Sequence, residues 1–473
     1  MKKRTKKLRP VLTSLVILSF LLALVQPPAF AMSTEEERQA GEEFRVSVRK
    51  QLDLVQDDFA NDYINDLGQY ITKALETKAF PFEFYVVKDS TLNAFAGPGG
   101  YVFVYTGLID TMDTVDELAA VMSHEIGHVS ARHLAQRMEQ GKTMTLAVLA
   151  GMLAGALMGG KVGGALATGS MAAAVQKQLA YSRDDERQAD SLGFKYMTES
   201  HFNPGGMATV LKKLERAAPG GTDAVPPYLL THPAGPERVS SIEALTSQYT
   251  PEPDTKESAE FRRLFPYFKV ICIAKSMDSQ DALRYLSKEI YKNPDSPLAQ
   301  FTLGVIQKES MDYSAAIEHL VKALKAAPDL SPALIELGEA YQLQGQDRRA
   351  IEVADRVLRT DGRDRAALYL TALSYQNLED FPKAAVFYER LLSMRPVKDE
   401  VYYNLGVCYG RQGKLALAHY YTGIYFQRDF EFQNARYHLL KAEQLAGDDQ
   451  GLKNRIREAM RALPKGGMSS TAQ

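Results

Sequence analysis

Cysteine is scarce and tryptophan is absent: the 473-residue chain holds two Cys and no Trp. Cys272 and Cys408 stand far apart in sequence, and neither has a nearby His or Cys to complete a metal site. Both read as buried thiols on helices, so the fold does not rest on disulfides. The missing Trp decides nothing by itself. An excess of one charge is also lacking, since 56 Lys and Arg face 58 Asp and Glu for a formal net charge of −2. With 45% hydrophobic and 24% charged residues the composition is that of an ordinary globular protein. The length calls for two or three domains.

Residues 1–31 stand apart. Met1 to Arg9 carries six basic residues and no acidic one. The apolar run Val11 to Val25 follows, then Pro27, Pro28 and the small-residue triplet Ala29-Phe30-Ala31. These are the three parts of an export signal with its cleavage site. The alternative, an uncleaved membrane anchor, needs a longer run, because a bilayer span takes about 20 residues. No Cys follows the run, so lipid anchoring is not indicated. Removing six positive charges takes the formal net charge from −2 to −8. A mature chain that acidic argues against nucleic acid as a partner.

The rest divides into residues 32–249, mixing helices with two short strands; a Pro- and acid-rich linker at 250–260; a helical repeat region at 261–463; and a disordered tail at 464–473. The repeats have a period of 34: Leu303-Gly304 returns as Leu337-Gly338, Thr371-Ala372 and Leu405-Gly406. Tyr341, Tyr375 and Tyr409 keep the same spacing, as do Ala282, Ala316, Ala350, Ala384 and Ala418. Small residues at two places in each unit let paired helices approach closely, and Pro294, Pro328, Gly362 and Pro396 punctuate the unit ends. This resembles the tetratricopeptide repeat, a helix–turn–helix unit of that period. Four units run from about Pro297 to Glu431, with a degenerate unit before them and capping helices after. Such stacks form a concave groove for peptides or partner proteins.

Thr114-Val-Asp-Glu117 reads as a capping box opening a helix through ELAAVMSHEIGHVSARHLAQRME. That helix carries His124, Glu125 and His128. Positions i and i+4 share one face, so both imidazoles reach one metal ion. Glu125 lies beside that face, where it accepts a proton from a water whose pKa zinc lowers. A catalytic zinc needs a third protein ligand and an open fourth position. On a second helix, Glu186 and Asp190 are also i and i+4: Glu186 can complete the site while Asp190 orients a ligating imidazole.

HEIGHVSARH, NAFAGPGGYVFVYTGL (Asn93 to Leu108) and SRDDERQAD together resemble the M48 family of metallopeptidases over about Ser33 to Tyr249. The resemblance implies one zinc ion per chain, held by His124, His128 and Glu186, the last as first residue of an E-x-x-x-D pattern. It implies that the strand ending near Tyr105 is a sheet edge on which an unfolded polypeptide adds as a strand. Asn93, Ala94, Phe95, Tyr101, Val102, Phe103 and Val104 are then the substrate-binding candidates. Thr231-His232-Pro233 through Arg238 matches the family's H-P-x-x-x-x-R loop. His232 is thereby a candidate fourth, inhibitory zinc ligand, and Arg238 either positions that loop or steadies the oxyanion. His133, five residues past His128, reads as structural, and His201 is unassigned.

Met144 to Gly160 is apolar and rich in small residues, and VGGALATGSMAAAV follows Lys161. A pair of close-packed helices over the cleft competes with membrane insertion over 144–175. The glycines lower both hydrophobicity and helix propensity, favouring a lid that is soluble or touches the membrane.

The fold expected is α+β, a mostly helical zincin-like metalloprotease domain with a small sheet, followed by an all-α solenoid. The function expected is zinc-dependent endoproteolysis. The resemblance with the export signal places it in the periplasm, acting on unfolded or misassembled exported polypeptides, outer-membrane proteins among them. The groove would dock substrate or the outer-membrane assembly machinery. The rival reading is a chaperone or scaffold with latent proteolysis.

Overall fold

The computed structural model describes residues 32–140, 180–217, 225–394 and 396–464. The expected export signal (1–31), the segment 144–175 and the tail from 465 lie outside the described residues.

Helix α1 (Thr34–Gln51) opens on a capping box in which Ser33 and Glu36 satisfy each other's backbone N–H groups. Glu35, Glu36 and Glu37 fill its first turn, and Arg49 and Lys50 its last, matching the helix dipole. Helix α2 (Asp58–Ile71) starts on Asp57, whose carboxylate accepts from the Ala60 N–H. A three-stranded sheet follows: β1 (Glu83–Val87), β2 (Ala94–Ala96) and β3 (Tyr101–Tyr105). Gly99 and Gly100 have φ of +77° and +92°, the left-handed backbone that the turn into β3 demands.

The sheet order is β1-β3-β2, with β1 parallel and β2 antiparallel to β3. This corrects one expectation. The strand ending at Tyr105 is the centre of the sheet, paired with β1 on one side and β2 on the other, so Tyr101, Val102, Phe103 and Val104 cannot offer an open edge. Their unbroken apolar run is what a strand covered on both faces requires. The outer edge of β1 is occupied too. Asn65 donates to the Phe84 carbonyl and accepts its N–H, and Leu54 bridges Val87. β2 is the remaining edge strand.

Beyond α3 (Thr106–Thr111), helix α4 (Val115–Ser130) begins at Thr114 as expected, but without a side-chain cap bond. Glu117 instead accepts from the Asp113 N–H and from Lys213. The single long helix expected here is also two: Arg132 takes φ of +57°, and the chain restarts as α5 (His133–Gln140). Helices α6 (Arg183–Glu199), α7 (Gly205–Arg216), α8 (Pro227–Thr231) and α9 (Pro236–Ser247) complete this part.

The expected linker is already helical from Lys256, where α10 (Lys256–Ser276) starts on a Thr255 cap. With α11 (Ser279–Lys292) it forms the degenerate first pair. Four pairs follow: α12 and α13 (Pro297–Glu309, Tyr313–Ala326), α14 and α15 (Ser331–Leu343, Asp347–Thr360), α16 and α17 (Arg365–Asn377, Phe381–Leu392), and α18 and α19 (Asp399–Arg411, Leu415–Arg428). A last pair, α20 (Phe432–Leu445) and α21 (Gln450–Ala462), ends the stack. The small residues have the reason expected. A Cβ on Gly304 would lie 2.6 Å from Leu320 Cγ, and one on Gly338 2.5 Å from Leu370 Cδ2. Cys272 and Cys408 are buried and free.

One continuous apolar core runs from α2 and the sheet through α4 into the repeats as far as Leu370. Tyr63 of α2 stacks on Phe268 of α10 at 4.5 Å. Charged pairs frame that seam: Arg365 reaches Asp62 and Asp66, each at 2.7 Å.

Candidate metal centre

Helices α4 and α6 cross closely at two glycines. A Cβ on Gly127 would sit 2.9 Å from the Ala189 carbonyl oxygen, and one on Gly193 3.3 Å from the His124 nitrogen. This crossing sets Glu186 and Asp190 against the face of α4 that carries His124 and His128.

Each imidazole is turned by a partner. His124 Nδ1 lies 2.9 Å from Asp190 Oδ1. His128 Nδ1 lies 3.0 Å from His133 Nδ1, and His133 Nε2 lies 3.0 Å from Gln188 Oε1. The amide oxygen of Gln188 can only accept, so His133 donates from Nε2 and receives the His128 proton at Nδ1. Both ligand histidines thus present Nε2 inward, 3.0 Å apart. His133, read as structural, thus packs directly behind His128. The helix break at Arg132 turns it back onto His128, which five-residue spacing on an unbroken helix would not do.

A Glu186 carboxylate oxygen lies 3.5 Å from each of those Nε2 atoms. His232 Nδ1 is 3.1 Å from Glu186 Oε1 and 3.3 Å from His124 Nε2, and its Nε2 is 3.5 Å from Glu125 Oε1. His124, His128, Glu186 and His232 each offer one donor atom, all within 4.8 Å of one another. Arg238 donates to both Asp190 oxygens at 2.7 and 2.8 Å, pairs with Glu186 at 2.5 Å and reaches the Pro233 carbonyl at 3.3 Å. It ties two acidic side chains to the His232 loop. His201 is remote from this cluster and contacts the Pro253 carbonyl.

Burial opposes ionisation of Glu186, yet His232, His128 and His124 pull its carboxyl well below the usual range. Burial opposes ionisation of Asp190 as well, and His124 and Arg238 reverse it. Burial also lowers His128 well below the ordinary imidazole value, leaving it neutral as a ligand must be.

The donor set fits a metal. Three imidazoles and one carboxylate suit zinc, and two donors about 2.1 Å from one ion in a tetrahedron are about 3.4 Å apart, close to the separations here. Glu125 makes the same point. It is 0% exposed and, among the described residues, neither carboxylate oxygen has a hydrogen-bond partner. A carboxylate so buried, without a protein donor, is the kind of group that a neighbouring cation stabilises.

Residues 59–246 match the model of peptidase family M48. The chain carries an M48 peptidase domain. Behind the M48 domain, residues 308–373 and 369–429 match tetratricopeptide-repeat models. A protein of Vibrio cholerae described as a putative β-barrel assembly-enhancing protease is 28% identical over 303 residues, covering 63% of this chain and 62% of that one. The β-barrel assembly-enhancing protease of Escherichia coli K12 is 31% identical over 223 residues, 46% of each chain. The mitochondrial metalloendopeptidase OMA1 of Schizosaccharomyces pombe is 31% identical over 175 residues, 37% of this chain and 48% of that one. This chain thus spans between about half and three-fifths of these relatives. Metal dependence goes with the M48 domain, and the four-residue cluster is where this one could hold its ion.

Among the described residues, no helix is long and apolar enough to cross a membrane.

Proposed function

We propose that this chain is a zinc metalloendopeptidase of the periplasm that cleaves unfolded or misassembled exported polypeptides and is held latent by His232. The observation that carries the reading is the convergence of His124, His128, Glu186 and His232 beside the unbonded Glu125 carboxylate. The N-terminal export signal supports the location, and the relatives named for β-barrel assembly support outer-membrane proteins as substrates.

His124, His128 and Glu186 hold the ion. When bound, zinc polarises the scissile carbonyl and acidifies water, which is the chemistry peptide hydrolysis needs. Glu125 accepts the proton of the attacking water and delivers it to the departing amide nitrogen. Asp190 and His133 keep the two imidazoles oriented. Arg238 is a positioning residue, because its donors are engaged by Asp190, Glu186 and Pro233. The substrate edge is β2, with Asn93, Ala94 and Phe95. It packs against α4, and Ala94 and Ala96 flank the central Phe95–Phe103 pair. By the alternation of antiparallel pairing their backbone groups point away from β3, where an extended chain can add. The repeat groove docks substrate or assembly machinery.

The test is zinc content and cleavage of an unfolded protein by the purified chain. The expected result is one zinc per chain and a loss of activity on the order of 100-fold or more in Glu125→Gln. Equal cleavage by that variant, or absence of zinc, would falsify the reading. The buried position of His232, 1% exposed, favours a second reading in which the chain works mainly as a scaffold. Rescue of an outer-membrane assembly defect by the Gln variant would select it.

A further inference from the structure

His232 is flanked by two tyrosines of different standing. Tyr228 lies one helical turn upstream on α8, its ring stacked on the imidazole at 4.5 Å and 24°. The His232 N–H donates to the Tyr228 carbonyl, so the two residues move as one turn. The Tyr228 N–H donates to the Leu92 carbonyl at 3.3 Å, which ties this turn to the approach to β2. Tyr181 belongs to a different part of the chain, at the start of the segment that becomes α6. Its ring lies 5.0 Å from that of His232 at 33°, and 3.8 Å from that of His128. The Tyr181 N–H donates to the Thr231 carbonyl at 2.8 Å, tying the approach to α6 to the residue before His232. Arg137 of α5 places its guanidinium 4.1 Å from the Tyr181 ring centre and donates to the Ala180 carbonyl.

Among the described residues, the loop after His232 is held mainly by Arg238. Pro233 has no N–H to give, and a Cβ on Gly235 would meet nothing within 4 Å. Arg238 grips the Pro233 carbonyl, on the far side of the imidazole from α8 in sequence.

We propose that Tyr181 is the latch that keeps His232 at the metal centre, with Arg137 backing the latch; this rests on the reading of His232 as a fourth, inhibitory ligand. Tyr181 is a positioning residue, and it works through the face of its ring. Its contacts with His232, His128 and Arg137 are all ring contacts, and its one hydrogen bond in the latch comes from the backbone. Release of the latch frees His232 and opens the fourth position.

The test uses the full chain loaded with Co2+, whose visible absorption changes when an imidazole leaves the metal, together with cleavage of an unfolded protein by the zinc form. His232→Ala should change the Co2+ spectrum. Tyr181→Leu should move the spectrum toward that of His232→Ala and raise cleavage roughly 2- to 10-fold, the range an aromatic contact is worth. Tyr181→Phe keeps the ring and should match the parent in both readouts. Arg137→Gln should shift both in the direction of Tyr181→Leu by a smaller factor, and it carries the test where Tyr181→Leu does not fold. If His232→Ala leaves the spectrum unchanged, His232 is not a ligand and the underlying reading fails. If His232→Ala changes it but neither Tyr181→Leu nor Arg137→Gln does, the latch alone fails. Loss of cleavage in Tyr181→Phe would overturn the latch too, by assigning the hydroxyl to the chemistry.

Discussion

Arg238 grips Asp190 with two donors, at 2.7 and 2.8 Å, and Asp190 Oδ1 in turn lies 2.9 Å from His124 Nδ1. One arginine thus bears on the orientation of His124, a candidate ligand, through a carboxylate that burial pushes up and His124 and Arg238 pull down. The same guanidinium reaches Glu186 and the His232 loop, so ligand geometry and loop position share one support.

Asp190→Asn keeps the shape but weakens the acceptor facing His124. Zinc affinity should fall about 10- to 100-fold, the usual effect of losing an outer partner of a ligating imidazole. Competition with a chromogenic chelator measures it, and an unchanged affinity would remove Asp190 from the site.

Gly127→Ala should destabilise the chain although alanine is the better helix former. The helix gains about 1 kcal/mol. The new Cβ would press within 2.9 Å of the Ala189 backbone oxygen, and overpacking of that kind costs about 1–3 kcal/mol. Zinc affinity should drop in parallel, because the same crossing positions Glu186. Thermal melting with and without zinc tests this; a variant as stable as the parent would mean that the two helices can separate freely.

Stability should fall as the medium turns from neutral to alkaline, and Glu336→Gln should flatten that dependence. Glu336 is fully buried on α14 between the peptidase domain and the repeats. Burial pushes its carboxyl up to about 8; Lys308 at 2.6 Å opposes this, while Asp57 and Glu339 reinforce it. Lys308 is also shared with Glu339, and Lys275 stands nearby, 3.5 Å from Asp57. A folded value above the unfolded one, about 4.3, means the folded chain binds the proton more tightly. That contribution is complete below the unfolded value and is lost as pH rises through about 8. Melting temperatures between pH 6 and 9 should therefore diverge in favour of the Gln variant. Parallel curves would show that Glu336 is ionised throughout.

Much of this was legible in the chain. The 34-residue period fixed the helix pairs, since a repeated small residue at a repeated contact has one local reading. His124, Glu125 and His128 stood out as candidates because i, i+4 spacing on one helix is a local property; Glu186 and Asp190 share a face by the same spacing, but their candidate roles came from the resemblance to the M48 pattern. Their meeting was not local. It depends on the close crossing at Gly127 and Gly193, which spacing cannot express. The edge of the sheet was misjudged because an apolar strand reads alike at the centre and at the border until its neighbours are known. The contact of His133 with His128 could not be read from spacing, because it follows from one left-handed residue, Arg132. Tyr181 carried no signal of its own; only folding brings its ring onto His128 and His232. The sequence by itself determined which residues could bind a metal and which helices would pair. The tertiary structure decided which nitrogen of each histidine faces inward, which strand is an edge, and what holds His232 in place, because each of those depends on contacts between residues far apart in the chain.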